Sequence, residues 1–426
     1  MANVNRFKGT IGILTGGGDV PGLNPAIRGV AIRAIHEGYR VIGLRRGWGG
    51  ISNLVRDKDA DNSKCYFELD ENTVNRAARE GGTFLHTSRT QPSKMKKNLV
   101  PAHLRDIYNK EDEPIFDDKG KKIGKIGAND ITPEVVKNLD WLGIDYLVPI
   151  GGDDTLSYGV RLAKEGVKVV AIPKTMDNDV PGTDYCLGFS TCVSRTLEFA
   201  NDLRTAVGSH ERFLIMEVMG RNAGFTALAP TIAGAADRCI IPEYTPTIER
   251  LYELMIESRN KNRSNYSSVM ISEGAFLSGM DIQTEGCEVD AFGHPKLGGI
   301  GSIVAKELKN MAAADSKNER PINIMEQRVG YVVRCGRPDS IDAVVPMIYG
   351  NLALELIMKK QFCRVVVLNN GRYGDLPIEV VTASKKIVDA EKFYDGDRLR
   401  PNYSNMYGTT LFGYGKEIMK KVEEAK

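Results

Sequence analysis

The sequence predicts an α/β fold: two Rossmann-like lobes with largely parallel sheets and the active site in the cleft between them. Three observations carry that expectation. Short apolar runs recur along the chain and end in glycine or acidic loops that open helices, the signature of strand–loop–helix units. The chain has 426 residues, too many for one ordinary core. Strand-end loops of the same chemical type fall on both sides of residue 175, and in open parallel sheets that edge is where ligands bind.

Lys8–Leu14 reads as the first strand and runs into Thr15-Gly16-Gly17-Gly18-Asp19. Asn24 followed by Pro25 reads as the N-cap and first-turn pair of a helix from Ala26 to about Glu37, and Tyr39–Leu44 as the next strand. A second glycine loop, 81–83, precedes Thr87-Ser88-Arg89-Thr90. Residues 94–128 are rich in lysine and acidic side chains, with a turn at 117–121; they read as a solvated insertion, a mobile lid over the site being the sharper alternative. Regular alternation then resumes: helix 133–142, strand Tyr146–Ile150, helix 154–165, strand Val167–Ile172, helix 190–207, strand Phe213–Val218, helix 222–235 and strand Ser267–Ser272. A glycine-rich loop (274–301), a strand near Arg328–Arg334, a long amphipathic helix 338–360 and strand Arg364–Leu368 lead to a polar C-terminal region. The expected division is a donor-binding lobe at 1–175, completed by about 340–400, an acceptor lobe at 176–340, and an extension at 400–426.

Charge excludes some functions. Lys+Arg 57 against Asp+Glu 55 gives a net charge of +2, too balanced for a surface that coats nucleic acid. The seven cysteines are odd in number and lack any Cys-x-x-Cys pair, which fits a reducing compartment and argues against a disulfide framework or a zinc site. No apolar run has the length of a signal peptide or a membrane span, so a cytoplasmic location is expected.

The densest chemistry lies in Gly151-Gly152-Asp153-Asp154-Thr155 and, one helix later, Pro173-Lys174-Thr175-Met176-Asp177-Asn178-Asp179. Glycines followed by a carboxylate at a strand end suit a phosphate and a divalent metal, with Asp153 as the Mg²⁺ ligand in preference to a helix N-cap. Asp177 and Asp179 offer a base for an attacking hydroxyl, with Thr175 and Lys174 beside them. Carboxylates, a metal and a cation are the parts phosphoryl transfer to a hydroxyl needs. The Thr15–Asp19 loop is expected to present successive backbone N–H groups to phosphate, although it lacks the Gly-Lys-Ser/Thr of a Walker A motif. Arg212, Arg221 and Arg334 lie beside apolar strands and would suit a second anionic group. No histidine has zinc-ligand spacing.

These residues resemble the phosphofructokinase family. The matching segments are TGGGDVPGLNPAIRG (15–29), GGTFLHTSRT (81–90), IGGDDT (150–155), PKTMDND (173–179), GTDYCLGFST (182–191), MGRNAG (219–224), ISEG (271–274) and the region of Tyr331–Arg334, in family order across roughly residues 10 to 380. The resemblance implies that Asp177 accepts the 1-hydroxyl proton of fructose 6-phosphate, aided by Asp179, Lys174, Thr175 and Arg221, and that Asp153 holds Mg²⁺. It implies donor contacts from Gly17, Gly18, Arg89, Gly152, Asp154, Thr155 and Lys174. Thr175, Asp177, Met219, Gly220, Arg221, Glu273, Tyr331 and Arg334 would surround the sugar phosphate. Arg212 and Arg334 resemble arginines that reach in from a neighbouring subunit, which implies a homodimer or homotetramer. Ala343 stands where short bacterial ATP enzymes have an arginine, and Arg337 is the candidate replacement.

Two positions bear on the donor. ATP-using members usually have glycine where this chain has Asp154, and many also have it at the position of Lys174. A carboxylate there crowds the nucleotide's α-phosphate: like charges about 4 Å apart repel by about 4 kcal/mol at an effective dielectric near 20, or about a thousandfold at about 1.4 kcal/mol per decade. Lys174 suits compact pyrophosphate. The expected reaction is reversible phosphorylation of fructose 6-phosphate from pyrophosphate, in glycolysis and gluconeogenesis. The alternatives are an ATP-dependent 6-phosphofructokinase and a non-catalytic regulatory subunit of the same fold; the latter is disfavoured because Asp153, Asp177 and Asp179 are all present. NAD kinases and lipid kinases share a GGDG-type loop but have no PKTMDND segment one helix later.

Overall fold

The computed structural model describes residues 7–116, 122–279, 284–289, 295–297, 299–318 and 320–420. In chain order the strands of its two main sheets are β1 (Thr10–Thr15), β2 (Arg40–Leu44), β3 (Tyr66–Glu68), β4 (Tyr146–Gly151), β5 (Val170–Pro173), β6 (Phe213–Val218), β7 (Arg238–Ile240), β8 (Ser267–Ser272), β9 (Ile324–Arg328), β10 (Arg364–Asn369) and β11 (Arg372–Pro377). Among the described residues, one sheet has seven strands in the order β11-β10-β5-β4-β1-β2-β3, and the other four in the order β9-β6-β8-β7. The smaller sheet is parallel throughout. The larger is parallel except at its two edges, β2–β3 and β10–β11. Strands covered on both faces read as near-continuous apolar runs, and β1, β6 and β8 are buried at every position.

The helices that position the site are α1 (Leu23–His36), α2 (Thr132–Trp141), α3 (Asp153–Lys164), α4 (Phe189–Ser209), α5 (Phe225–Ile232), α6 (Ile248–Lys261), α7 (Ile300–Ala314) and α8 (Ser340–Met358). In α3 the dipole is complemented at both ends, by Asp153 and Asp154 in the first turn and Arg161 and Lys164 in the last. Helix α8, expected to be amphipathic, buries residues around most of its circumference. It is long and apolar enough to cross a membrane by length and composition, yet it packs on α1, α4, β5 and β10 within the core. Glycines set its distance from α1: a Cβ on Gly350 would lie 2.6 Å from the Ala26 carbonyl oxygen. One apolar cluster runs from Ile13 and Tyr349 through to Phe213 and Met270, so the two lobes share packing.

Several local expectations are corrected. Helix α1 begins at Leu23 with Gly22 as its N-cap (φ 104°), not at Asn24. The Asn24 side chain instead donates to the Glu80 carbonyl at 3.2 Å and accepts from the Phe84 N–H at 3.0 Å, fixing the second glycine loop. The strand read near Arg328–Arg334 ends at Arg328, and Gly330–Arg334 is a 3₁₀ turn. Helices α6 and α7 were not foreseen. The 94–128 segment is largely exposed, as a solvated insertion should be, and is anchored by Met95, Val100 and Leu104, buried beside Ile131 and Val135; the turn at 117–121 lies outside the described residues. The strand Gly415–Met419 folds back on Ser384–Val388, and Phe412 stacks on Tyr185 at 5.4 Å. The six cysteines whose side chains are described are free thiols.

Candidate active site

The C-terminal ends of β1, β4, β5, β6, β8 and β9 open onto one cavity of about 680 Å³. It is lined by Gly17, Gly18, Arg89, Gly152, Asp153, Asp154, Thr155, Lys174, Thr175, Asp177, Asp179, Met219, Arg221, Glu273, Tyr331 and Arg334, among others. The structure thus brings together the two acidic motifs and residues from both lobes. Of the residues named from the sequence, Gly220 and Arg212 do not line it. Gly220 lies between two that do. Arg212 precedes β6 and so sits at the opposite end of that strand; its Nε is buried without a hydrogen-bond partner.

The glycine loop after β1 works differently from the expected cradle of N–H groups. The Gly16 N–H is taken by the Ile150 carbonyl at 2.9 Å and that of Gly17 by the Ser88 carbonyl at 3.0 Å. What glycine supplies here is room for cations. A Cβ on Gly18 would lie 2.0 Å from Arg334 Nη1, and one on Gly17 3.1 Å from Lys174 Nζ. Lys174 is 3% exposed and donates to the Gly18 carbonyl at 2.7 Å. Burial pushes its ammonium down to about 7; Arg334 and Arg89 push the same way, against Asp19 and Asp153. Arg334 reaches the cavity of its own chain, where its Nε lies 3.2 Å from Met219 Sδ, which corrects the expectation that it serves a neighbouring subunit.

In the second motif Asn178 takes a left-handed conformation (φ 55°), with its side chain bonded to the Asp184 carbonyl and the Cys186 N–H, both at 2.9 Å. That bend sets Asp177 and Asp179, on either side, along the cavity wall. Asp177 Oδ1 is buried and has no hydrogen-bond partner. Burial raises the Asp177 carboxyl, while Arg334, Arg221 and Lys174 pull it back. Asp179 is pushed up to about 8, by burial and then by the charges of Asp177 and Asp153. The three carboxylates crowd negative charge where a divalent cation would relieve it. Among the described residues no cluster of three or more ligand side chains forms a closed metal cage. That donor set fits Mg²⁺, which binds through one or two carboxylates plus substrate phosphates.

Across the cavity, Glu273 closes β8 and is pushed up to about 7 by burial and by Asp177. The Gly274 N–H bonds the Gly220 carbonyl at 3.1 Å, and a Cβ on Gly274 would meet the Arg221 carbonyl oxygen at 1.9 Å, so the arginine loop rests directly on this turn. Arg337 is exposed and does not line the cavity of its own chain. Sequence reasoning missed two charged wall residues, Glu217 and Arg328. Glu217 is hidden inside the apolar-looking run of β6, where a lone carboxylate in a fully buried strand was the available signal.

Two parallel sheets whose strand ends converge on cations, paired carboxylates and a glycine loop define a two-lobed α/β phosphotransferase. The chain belongs to the phosphofructokinase family, whose pattern, described as Phosphofructokinase, matches residues 10–357. It is 33% identical over 390 residues to a Dictyoglomus thermophilum protein named pyrophosphate–fructose 6-phosphate 1-phosphotransferase, covering 91% of this chain and 97% of that one. It is 34% identical over 382 residues to a Clostridium perfringens protein named ATP-dependent 6-phosphofructokinase 2, covering 89% and 94%. The solved structure of a pyrophosphate-dependent phosphofructokinase from Nitrosospira multiformis has the same fold, with a TM-score of 0.69 at 16% identity and 98% of each chain covered. Relatives of similar closeness thus carry names with different phosphoryl donors.

Proposed function

We propose that this protein transfers a phosphoryl group reversibly between pyrophosphate and the 1-hydroxyl of fructose 6-phosphate, with Mg²⁺. The observation that carries the donor is that Asp154, in the first turn of α3, and buried Lys174 line the same cavity. A carboxylate there opposes the additional phosphate and nucleoside of ATP, while a desolvated ammonium suits the dense charge of pyrophosphate. In this reading the lobe of the larger sheet, residues 1–175 completed by about 340–400, holds the donor, and residues 176–340 hold the sugar phosphate.

The sugar hydroxyl would meet Asp177 Oδ1, the buried oxygen without a partner. The carboxylate takes the hydroxyl proton as the oxygen bonds to the terminal phosphorus, and the bridging P–O bond breaks to release inorganic phosphate. Lys174 and Arg89 face the charge on the donor, and Arg221, Glu273 and Arg334 orient the acceptor. When bound at Asp153, Mg²⁺ would neutralise charge on the transferring group. Arg212, remote from its own cavity, would serve a neighbouring subunit of a homodimer or homotetramer.

The ATP-dependent reading is favoured by the name of the Clostridium perfringens relative. Steady-state assays with pyrophosphate and ATP side by side, at equal free Mg²⁺, decide between them. A preference for ATP overturns the donor assignment.

A further inference from the structure

We propose, resting on the reading of Asp177 as the group that takes the hydroxyl proton, that Lys386 is a positioning residue acting on it through the bend at Asn178. Lys386 lies beyond the residues 10–357 that the family pattern matches, on the strand Ser384–Val388. It is 5% exposed, with Nζ 5.1 Å from the ring centre of Phe225 at the start of α5. An ammonium taken out of water must find hydrogen-bond acceptors. Here it donates to the Thr183 carbonyl at 2.7 Å and the Asp184 carbonyl at 3.3 Å. The Asp184 carbonyl also accepts from Asn178 Nδ2, at 2.9 Å. Lys386 and Asn178 thus share one oxygen, and Asn178 stands between Asp177 and Asp179 in the chain.

The strand behind Lys386 is held on both sides. The Val388 N–H donates to Glu243 Oε1 at 2.8 Å, and the same oxygen accepts at 3.0 Å from the Gly224 N–H, in the segment that carries Arg221. On the paired strand, Glu417 Oε1 accepts from the Gly182 N–H at 2.5 Å. An ammonium on so fixed a strand holds the Asp184 carbonyl in one place. That matters because left-handed backbone is unfavourable for a residue with a side chain. Asn178 keeps it (φ 55°) through its side-chain bonds to the Asp184 carbonyl and the Cys186 N–H. Fixing the carbonyl fixes the bend, and the bend sets Asp177 along the cavity.

The test is a double-mutant cycle in kcat on the full-length protein, run with whichever of pyrophosphate and ATP the wild type prefers. Lys386→Met should lower kcat by about 10- to 100-fold, the range for a catalytic group displaced by about 1 Å. The KM for the donor should stay unchanged. Asn178→Gly tolerates the left-handed backbone but loses both side-chain bonds, and should lower kcat similarly. The double variant should be no slower than the slower single, because both substitutions cut one link. Lys386→Gln, with a shorter reach to the carbonyls, replaces K386M where that variant does not fold, with the same expected outcome. Additive losses would show that Lys386 acts by another route, such as its charge, and overturn the proposal. Lys416→Ala frees the same hairpin from Asp389 and Glu391 without touching Thr183 or Asp184, and should keep wild-type kcat. A loss there equal to that of K386M would mean that the hairpin serves only as packing, and overturns the proposal too. Unaltered kcat in K386M or N178G does the same while leaving the functional reading intact. A wild-type protein that phosphorylates fructose 6-phosphate from neither donor removes that reading and this assignment together.

Discussion

Lys174 Nζ donates to the Gly18 carbonyl at 2.7 Å, joining the end of β5 to the loop that follows β1. These strands are not neighbours, since β4 lies between them. The contact therefore ties the two outer loops of a three-strand edge and fixes an ammonium in the cavity. Two arginines, Arg334 and Arg89, act on the same ammonium, so this end is a cationic pocket waiting for an anion.

That pocket has a proton signature. Burial and the two arginines bring Lys174 down to about 7, so in the free protein it loses its proton as pH rises through that value. A bound anion favours the charged form and raises the pKa. Between about pH 7 and 9, pyrophosphate binding should take up a proton, and affinity should fall as pH rises. Calorimetry in buffers of different ionisation enthalpy measures this uptake. Lys174→Met should abolish the part due to the lysine, the ligand's own titration being common to both proteins; equal uptake in the two proteins contradicts the assignment.

Asp177→Asn should lower turnover by about 10²–10⁴-fold, the usual cost of removing a general base. Fructose 6-phosphate binding should largely survive, because the amide keeps the shape of the side chain and the surrounding cations remain. Steady-state kinetics with a parallel binding isotherm check both parts. Near-normal turnover would show that another group takes the proton.

Why these motifs were legible in the sequence, and others were not, follows from where the information sits. Asp153, Asp154, Lys174, Asp177 and Asp179 lie in contiguous segments at strand ends, so local spacing alone placed them on one edge of a parallel sheet. The use of the glycine loop was not legible, because Gly16 and Gly17 bond to Ile150 and Ser88, far away in the chain. Arg328 and Glu217 meet only when β9 pairs with β6. Asn24 failed as an N-cap because it fixes a loop about sixty residues downstream. Asp342 is a further case: fully buried at the start of α8, it accepts from the Gly188 N–H at 2.7 Å and the Thr191 N–H at 2.8 Å. The GTDYCLGFST segment thus turns out to pin the start of α4 against α8.

The α1–α8 crossing predicts opposite outcomes for two glycines. In Gly350→Ala the new methyl would meet the Ala26 carbonyl oxygen at 2.6 Å, an approach that backbone cannot relieve without separating the helices. Destabilisation of about 1–3 kcal/mol is expected from overpacking. In Gly159→Ala, within α3, the nearest atoms lie at 3.5 Å or beyond, so the methyl fits and helix propensity should add about 0.5–1 kcal/mol. Thermal melts of both variants should shift in opposite directions. A melting temperature unchanged in Gly350→Ala would mean that the crossing is looser than its geometry indicates.

The donor prediction rests on Asp154. Its carboxylate lies in the first turn of α3, partly exposed, lining the cavity that Lys174 also lines. With both residues intact, pyrophosphate should phosphorylate fructose 6-phosphate and ATP should be a poor donor. Asp154→Gly removes a negative charge from the place of a nucleotide's α-phosphate and should raise kcat/KM for ATP. Repulsion of about 4 kcal/mol sets the ceiling near a thousandfold. Because the side chain is partly open to solvent, screening will hold the gain below that, and added salt should shrink it further. The same variant should lose pyrophosphate turnover if Asp154 helps order the metal or Lys174, and keep it if the carboxylate acts only by exclusion. Measuring kcat/KM for both donors at two ionic strengths separates these effects. No gain with ATP at low salt would mean that the carboxylate does not set donor choice.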